Sequence, residues 1–263
     1  MRRLRATQSA FVVSFALSSA SSFPADTGTF SRHFESKVGQ RQYASSLSSD
    51  DTSCLDEASA DEEAVRKQLG YLPINYVRVT SYTACGKAPV AIQAYPLNGG
   101  ALRRRSKAKG ELTPFPTLYW LVNAEISRAV AELERTGFVG ALEERLRSKD
   151  SYVEDYIRAH QAYANERWQS LTDQDRATLL EGAAEENDED ESGSNGNRND
   201  VITPGMVQMI RNSGIAGRKP TFEASIKCLH SHYAHYRSGG AEVNIVGKWV
   251  EDLLLENFPE LDL

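Results

Sequence analysis

The hydrophobic period of this chain changes from two to about 3.6 near Asn123, and that change limits what it can fold into. Upstream, "NYVRVTSYT" (75–83) and "APVAIQAY" (88–95) alternate apolar with polar residues and are rich in β-branched and aromatic side chains, the pattern of half-buried strands. Cys85-Gly86-Lys87 between them predicts an antiparallel hairpin. "TPFPTLYWLV" (113–122) predicts a third strand, restricted to an edge or to entry positions by Pro114 and Pro116, which have no N–H for a ladder.

Downstream the period is that of a helix. Ile126, Val130 and Leu133 line one face, with Asn123 as cap and Gly137 as stop, and "FVGALEERLRSK" continues as a second helix. A third, 150–171, sets Val153, Ile157, His160, Ala164 and Trp168 on one stripe, so His160 should face the core. Thr203-Pro204 opens a short helix ending near Gly214. Pro220-Thr221 opens another, closed by Gly239-Gly240, and a last one capped by Asn244 buries Val246, Trp249, Val250 and Leu253. Ser59 and Glu62, in capping-box spacing, predict an opening helix over 59–70. The expected class is α+β: a small antiparallel sheet, a hairpin plus a third strand, followed by a mostly helical C-terminal part in a single domain.

Not all of the 263 residues read as domain material. Residues 1–60 are rich in Ser, Ala and Thr, and 181–200 has no apolar residue larger than alanine, so the expected globular domain is 61–257 with a disordered acidic insertion at 181–200. That insertion carries eight carboxylates against Arg198; without it the chain's net charge of -6 becomes +1. Nothing in a near-neutral domain predicts a nucleic-acid partner. "RRRSKAK" (103–109), inside the basic loop 97–112, has no interleaved aromatics and reads as a solvated loop. Three irregularly spaced cysteines, Cys54, Cys85 and Cys228, do not make a disulfide framework and suit a reducing compartment.

The leader has two parts. Arg2, Arg3 and Arg5 precede the short apolar run "SAFVVSFALSSA", which is signal-peptide architecture (about 1–22) and too short and serine-interrupted for a mature transmembrane helix. The hydroxyl-rich 23–60 that follows, starting at Phe23, reads as a transit-like segment. Together they resemble the bipartite presequences that send proteins into algal plastids of secondary origin; secretion or a mitochondrial address is the alternative.

"IKCLHSHYAHY" (226–236) places Cys228 and three of the chain's five histidines within eight residues. On one continuous helix Phe222, Ile226, Leu229, Tyr233 and Tyr236 form the buried stripe, Cys228, His232 and His235 share a second face, and His230 stands apart. Cys228, His232 and His235 have spacing that lets thiolate and imidazoles converge on zinc. A catalytic reading uses Cys228 as nucleophile or His230 as base, with His160 from a facing helix. Boundary residues bonded to neighbouring carbonyls are the plainer alternative. "GIAGRKPT" (214–221) sets two glycines and two cations before a helix N-terminus, a cradle for a small anion or an ordinary turn.

"TPFPTLYWL" (113–121) and "IKCLHSHYAH" (226–235), supported by "RKQLG" (66–70), "AHQAY" (159–163) and "NIVG" (244–247), are similar to the signature stretches of the domain-of-unknown-function family numbered 501, known mostly from bacteria. The resemblance runs from about Asp61 to Leu255 and implies a domain without naming a reaction. Pro114, Phe115, Pro116, Thr117, His160, Lys227, Cys228, His230, His235, Asn244 and Gly247 match the family pattern. His232 departs from it, since an apolar residue is usual there; Asn123 stands where a cysteine is frequent, and Cys85 is displaced. The departures favour Cys228, His230, His235 and His160 as the set to test. Three readings follow: an enzyme acting on a small anionic substrate bound by Gly217, Arg218, Lys219 and Thr117; a zinc-stabilised domain using Cys228 and His235; or a non-catalytic interaction module.

Overall fold

β1 (Tyr76–Tyr82) and β2 (Pro89–Ala94) pair antiparallel around the Cys85-Gly86-Lys87 turn in the computed structural model, which describes residues 51–98, 113–185, 203–219 and 223–263. Gly86 takes φ +70°, a conformation that favours glycine, and its N–H donates to the Thr83 carbonyl at 2.7 Å. β2 is central and almost wholly buried, with β5 (Tyr119–Leu121) on its other side. The expected third strand is therefore present but divided. Thr113–Pro114 (β4) pairs instead with Leu97–Asn98 (β3), and Tyr119–Leu121 alone joins the main sheet. The prolines cause the division: neither Pro114 nor Pro116 can donate to a ladder, and Leu118 N–H is taken by the Tyr163 hydroxyl at 2.7 Å.

One helix precedes the sheet and the others follow it, as the period change requires. The first, α1 (Asp51–Leu69), begins eight residues before Ser59, because "DTSCLDEA" holds neither proline nor glycine to stop propagation; the expected boundary at residue 60 falls inside it. α2 (Ala124–Arg135) is capped by Asn123, whose side chain accepts from Glu125 N–H and Ile126 N–H at 3.1 Å. Gly137, at φ +92°, separates it from α3 (Phe138–Arg147).

α4 (Asp150–Gln169) buries Tyr156, Ala159, His160, Tyr163, Ala164 and Arg167. His160 faces the core as expected, but Val153, Ile157 and Trp168 lie at the margins of the buried face. An unexpected helix, α5 (Asp173–Glu185), starts where Thr172 Oγ1 accepts from Asp175 N–H at 3.1 Å, and it carries the first five residues of the acidic segment. Residues 186–200 lie outside the described residues, as do the leader to residue 50 and the basic loop from 99 to 112.

α6 (Pro204–Asn212) begins at its Thr203 cap, and α8 (Ile245–Asn257) begins at Asn244. Between them, α7 (Leu229–His235) runs into a single π turn, Tyr236–Gly240. The main core joins α2, α3, α4, α7 and α8 through residues such as Val130, Leu133, Tyr156, Leu229, Tyr233, Val246 and Val250. Among the described residues no helix is long and apolar enough to cross a membrane. The architecture is α+β, with the described residues in one unit.

Candidate functional site

Cys228 is not in a helix. The expected helix from Pro220 does not exist over 223–228; the backbone there is non-helical and α7 starts only at Leu229, with Cys228 as its cap residue. Side chains from α2, α3 and α4 take the backbone groups that a helix would have used. The Glu143 carboxylate accepts Ile226 N–H at 2.8 Å, and the Tyr156 hydroxyl donates to the Ser225 carbonyl at 2.7 Å. Ala224 sits at φ +42° and is fully buried. The helical face assigned to Cys228, His232 and His235 is therefore not formed, since only the two histidines are helical.

The sulfur instead meets His230 and a residue that no motif singled out, Glu134 on α2. The Cys228 Sγ, one His230 ring nitrogen and one Glu134 oxygen lie within 4.8 Å of one another. Glu134 Oε1 accepts Leu229 N–H at 2.7 Å, so it caps α7 from another helix. His230 Nε2–H donates to the Ser127 carbonyl at 3.0 Å, and Nδ1 faces Glu134 Oε1 at 3.2 Å. An imidazole held at both nitrogens by oxygen acceptors is best satisfied with both protons on. The neighbouring Cys228 sulfur lifts the His230 pKa first; burial opposes it, Glu134 adds to it, and the result is about 9. Burial raises the Cys228 thiol, but bonds from His230 and from Ser231 outweigh it and bring the thiol below its ordinary value. Both His230 and Glu134 keep about a quarter to a third of their side chains exposed, at 26% and 30%.

The other three histidines of this half of the chain are buried elsewhere, around Asn244. Asn244 Oδ1 caps α8 by accepting Gly247 N–H at 2.9 Å, which turns its amide nitrogen toward α7. That nitrogen donates to the His232 carbonyl at 2.9 Å and to His235 Nδ1 at 3.1 Å. His235 must then carry its proton on Nε2, which faces Glu166 Oε1 at 3.5 Å, while His232 Nδ1–H donates to Asn244 Oδ1 at 3.2 Å. His160 accepts Ile215 N–H on Nδ1 at 3.0 Å, so its proton is on Nε2, which has no partner among the described residues. Burial, then the neighbouring histidines, push His160 down to about 3; burial chiefly pushes His232 down to about 4. These rings pack on one another and on tyrosines: His160 lies 5.4 Å from His232, and His235 stacks on Tyr119 at 5.9 Å.

The four residues expected to act together thus divide into Cys228 with His230, and His160 with His235. Among the described residues the one group of three potential metal ligands is Glu134, Cys228 and His230, without His235. The cationic turn is separate again. Gly217, at φ +72°, and Lys219 line a cavity between α4 and α6, whereas the Arg218 guanidinium donates to Ser225 Oγ at 2.7 Å. None of Cys228, His230, His160, His235 or Thr117 lines that cavity. Thr117 is half-buried between β4 and β5. The helix N-terminus expected just after Lys219 lies ten residues further on, so no helix dipole completes the cradle there.

The family model described as "Protein of unknown function (DUF501)" matches residues 79–252. No curated protein and no solved structure matches the chain. The family match spans well over half of the sequence, from β1 to α8, and the chain belongs to that family.

Proposed function

We propose that this member of the family is an enzyme whose chemistry is carried by Cys228, held as a thiolate by the His230 imidazolium, with Glu134 positioning the ring. One observation carries the reading: sulfur, imidazole and carboxylate within 4.8 Å of one another at a partly exposed helix start. A cationic neighbour and free N–H groups are what favour a thiolate, and a base oriented by a third group is the usual companion of a nucleophile. The supported reaction class is acyl transfer or hydrolysis. Cys228 Sγ bonds to the acyl carbon, the leaving group departs with its electron pair, and His230 gives it a proton. Water, losing its proton to His230, then splits the thioester to a carboxylic acid and restores the ion pair.

The test is labelling of the full chain with iodoacetamide at pH 6.5, read by peptide mass spectrometry. Cys228 should label faster than the more exposed Cys85, and His230→Ala should remove the advantage. Faster labelling of Cys85 in the unaltered protein, with no effect of His230→Ala, would remove the basis for the proposal.

A second reading is favoured by the Ser127 contact. A metal-binding histidine ordinarily donates its other N–H to a carbonyl or carboxylate, as His230 Nε2 does here. Cys228, His230 and Glu134 would then hold zinc with room for a fourth ligand, and zinc would supply Lewis acidity. About one zinc per purified chain, lost in both Cys228→Ser and Glu134→Gln, favours that reading; metal-free protein with a reactive Cys228 favours the first. The plastid address of residues 1–60 belongs to the same proposal. A fluorescent fusion of these residues that stays in the cytosol of a host with such a plastid would remove it.

A further inference from the structure

α4 and α6 pack side by side, and their outward faces leave a groove of about 980 Å³. Gln161 and Asn165 are four residues apart on α4, and Gln208 and Asn212 have the same spacing on α6, so each helix presents two carboxamides to the groove. Arg211 and Lys219 add two positive charges, and among the described residues no carboxylate lines the groove. Among the described residues neither cation makes an ion pair. The Arg211 guanidinium lies over the Trp168 ring, 5.3 Å from its centroid, which restrains it before any ligand arrives. The floor is fixed as well: the buried Arg167 guanidinium donates to the carbonyls of Met209 and Ser213 at one end of the groove.

We infer that this groove binds a small molecule carrying a phosphate on a hydroxyl-rich body, a sugar phosphate being the simplest example. Two cations without an ion-pair partner among the described residues call for an anion. Asn212 Nδ2 donates to Gln208 Oε1, which leaves the Gln208 amide N–H groups and the Asn212 oxygen beside the carboxamides of Gln161 and Asn165; this mixture of donors and acceptors matches hydroxyl groups rather than an apolar body. The volume lies at the upper end of small-molecule sites, so a bare anion would leave most of the groove to water. This site is separate from Cys228 and does not depend on the thiol reading.

The experiment is calorimetric titration of the full chain with glucose 6-phosphate, inorganic phosphate and glucose as probes. Glucose 6-phosphate should bind saturably, phosphate more weakly and glucose not at all. Arg211→Glu with Lys219→Glu changes two exposed side chains and should weaken glucose 6-phosphate tenfold or more, with the melting temperature unchanged. Asn165→Leu should weaken glucose 6-phosphate but not phosphate, and Cys228→Ser should alter neither. No heat from glucose 6-phosphate or phosphate at about 10 mM, far above a useful dissociation constant, overturns the inference. So does equal binding of glucose, or unchanged binding by the charge-reversed protein.

Discussion

Replacing Arg167 by methionine should destabilise the fold more than any exposed substitution. The guanidinium is fully buried, and no carboxylate pairs with it among the described residues. Four carbonyls hold it: Nε donates to Ile210 at 2.7 Å, Nη1 to Pro116 at 3.0 Å, and Nη2 to Met209 at 3.3 Å and to Ser213. One side chain thereby satisfies the carbonyls that end α6 and ties that end to the segment before β5. Methionine keeps much of the apolar stem, so the change isolates the polar part. Each charged bond contributes about 1.5–3 kcal/mol net, and each carbonyl left unpaired costs about 1–3 kcal/mol. The sum is not simply additive, because removing the guanidinium also recovers its burial cost. A net loss of about 3–5 kcal/mol follows, the scale seen when one partner of a buried charged contact is removed. For a domain of this size that lowers Tm by about 10 °C. Urea and thermal unfolding of the full chain measure it, with Arg167→Lys between the two because one ammonium cannot reach four acceptors. A methionine variant within about 1 kcal/mol of the parent would refute the reasoning.

Three further outcomes can be checked. Gly214→Ala places a Cβ 2.2 Å from His160 Nδ1, so the Ile215–His160 bond must break; overpacking costs about 1–3 kcal/mol, and the lost bond adds to it, readable by urea unfolding. His160 and His232, near 3 and 4 in the fold against 6.5 unfolded, bind protons in the unfolded chain first. Their contribution is intact above pH 6.5 and falls as pH drops toward 4, by up to about 2.7 kcal/mol per unit for the pair; between pH 5 and 6.5, His232→Asn should show a shallower slope than the parent. Glu134→Gln keeps an oxygen for Leu229 N–H but removes the charge beside His230, and it should lower the His230 pKa. Nuclear magnetic resonance titration of that ring reads the shift, and an unmoved pKa removes Glu134 from the ion pair.

The caps explain how much of the fold was legible. Asn123, Thr203 and Asn244 each carry a side-chain oxygen just ahead of an apolar helical period, and each caps a helix where expected. The start of α7 was not legible, because Ala224, Ile226 and Cys228 fit a period of two as well as a helical one over so short a run. What decides is tertiary: Glu143 and Tyr156 take the backbone groups of 225–226. The same holds for the site. Cys228 and His230 announced themselves by residue type, but Glu134 looks like any half-exposed helical acid and lies 96 residues before His230. His232 and His235 are adjacent by helical spacing, yet their roles depend on which way Asn244 points, and its cap to Gly247 fixes that. Arg167 gave no signal, since a buried cation satisfied by carbonyls has no partner charge in the sequence.

The most direct test of the Cys228–His230 ion pair is a thiolate absorbance titration near 240 nm, taken as the difference between the unaltered chain and Cys228→Ser. The account predicts a Cys228 pKa below the ordinary thiol value of about 8.5, moving up in His230→Ala. A thiol that ionises only above that value, indifferent to His230, would contradict it.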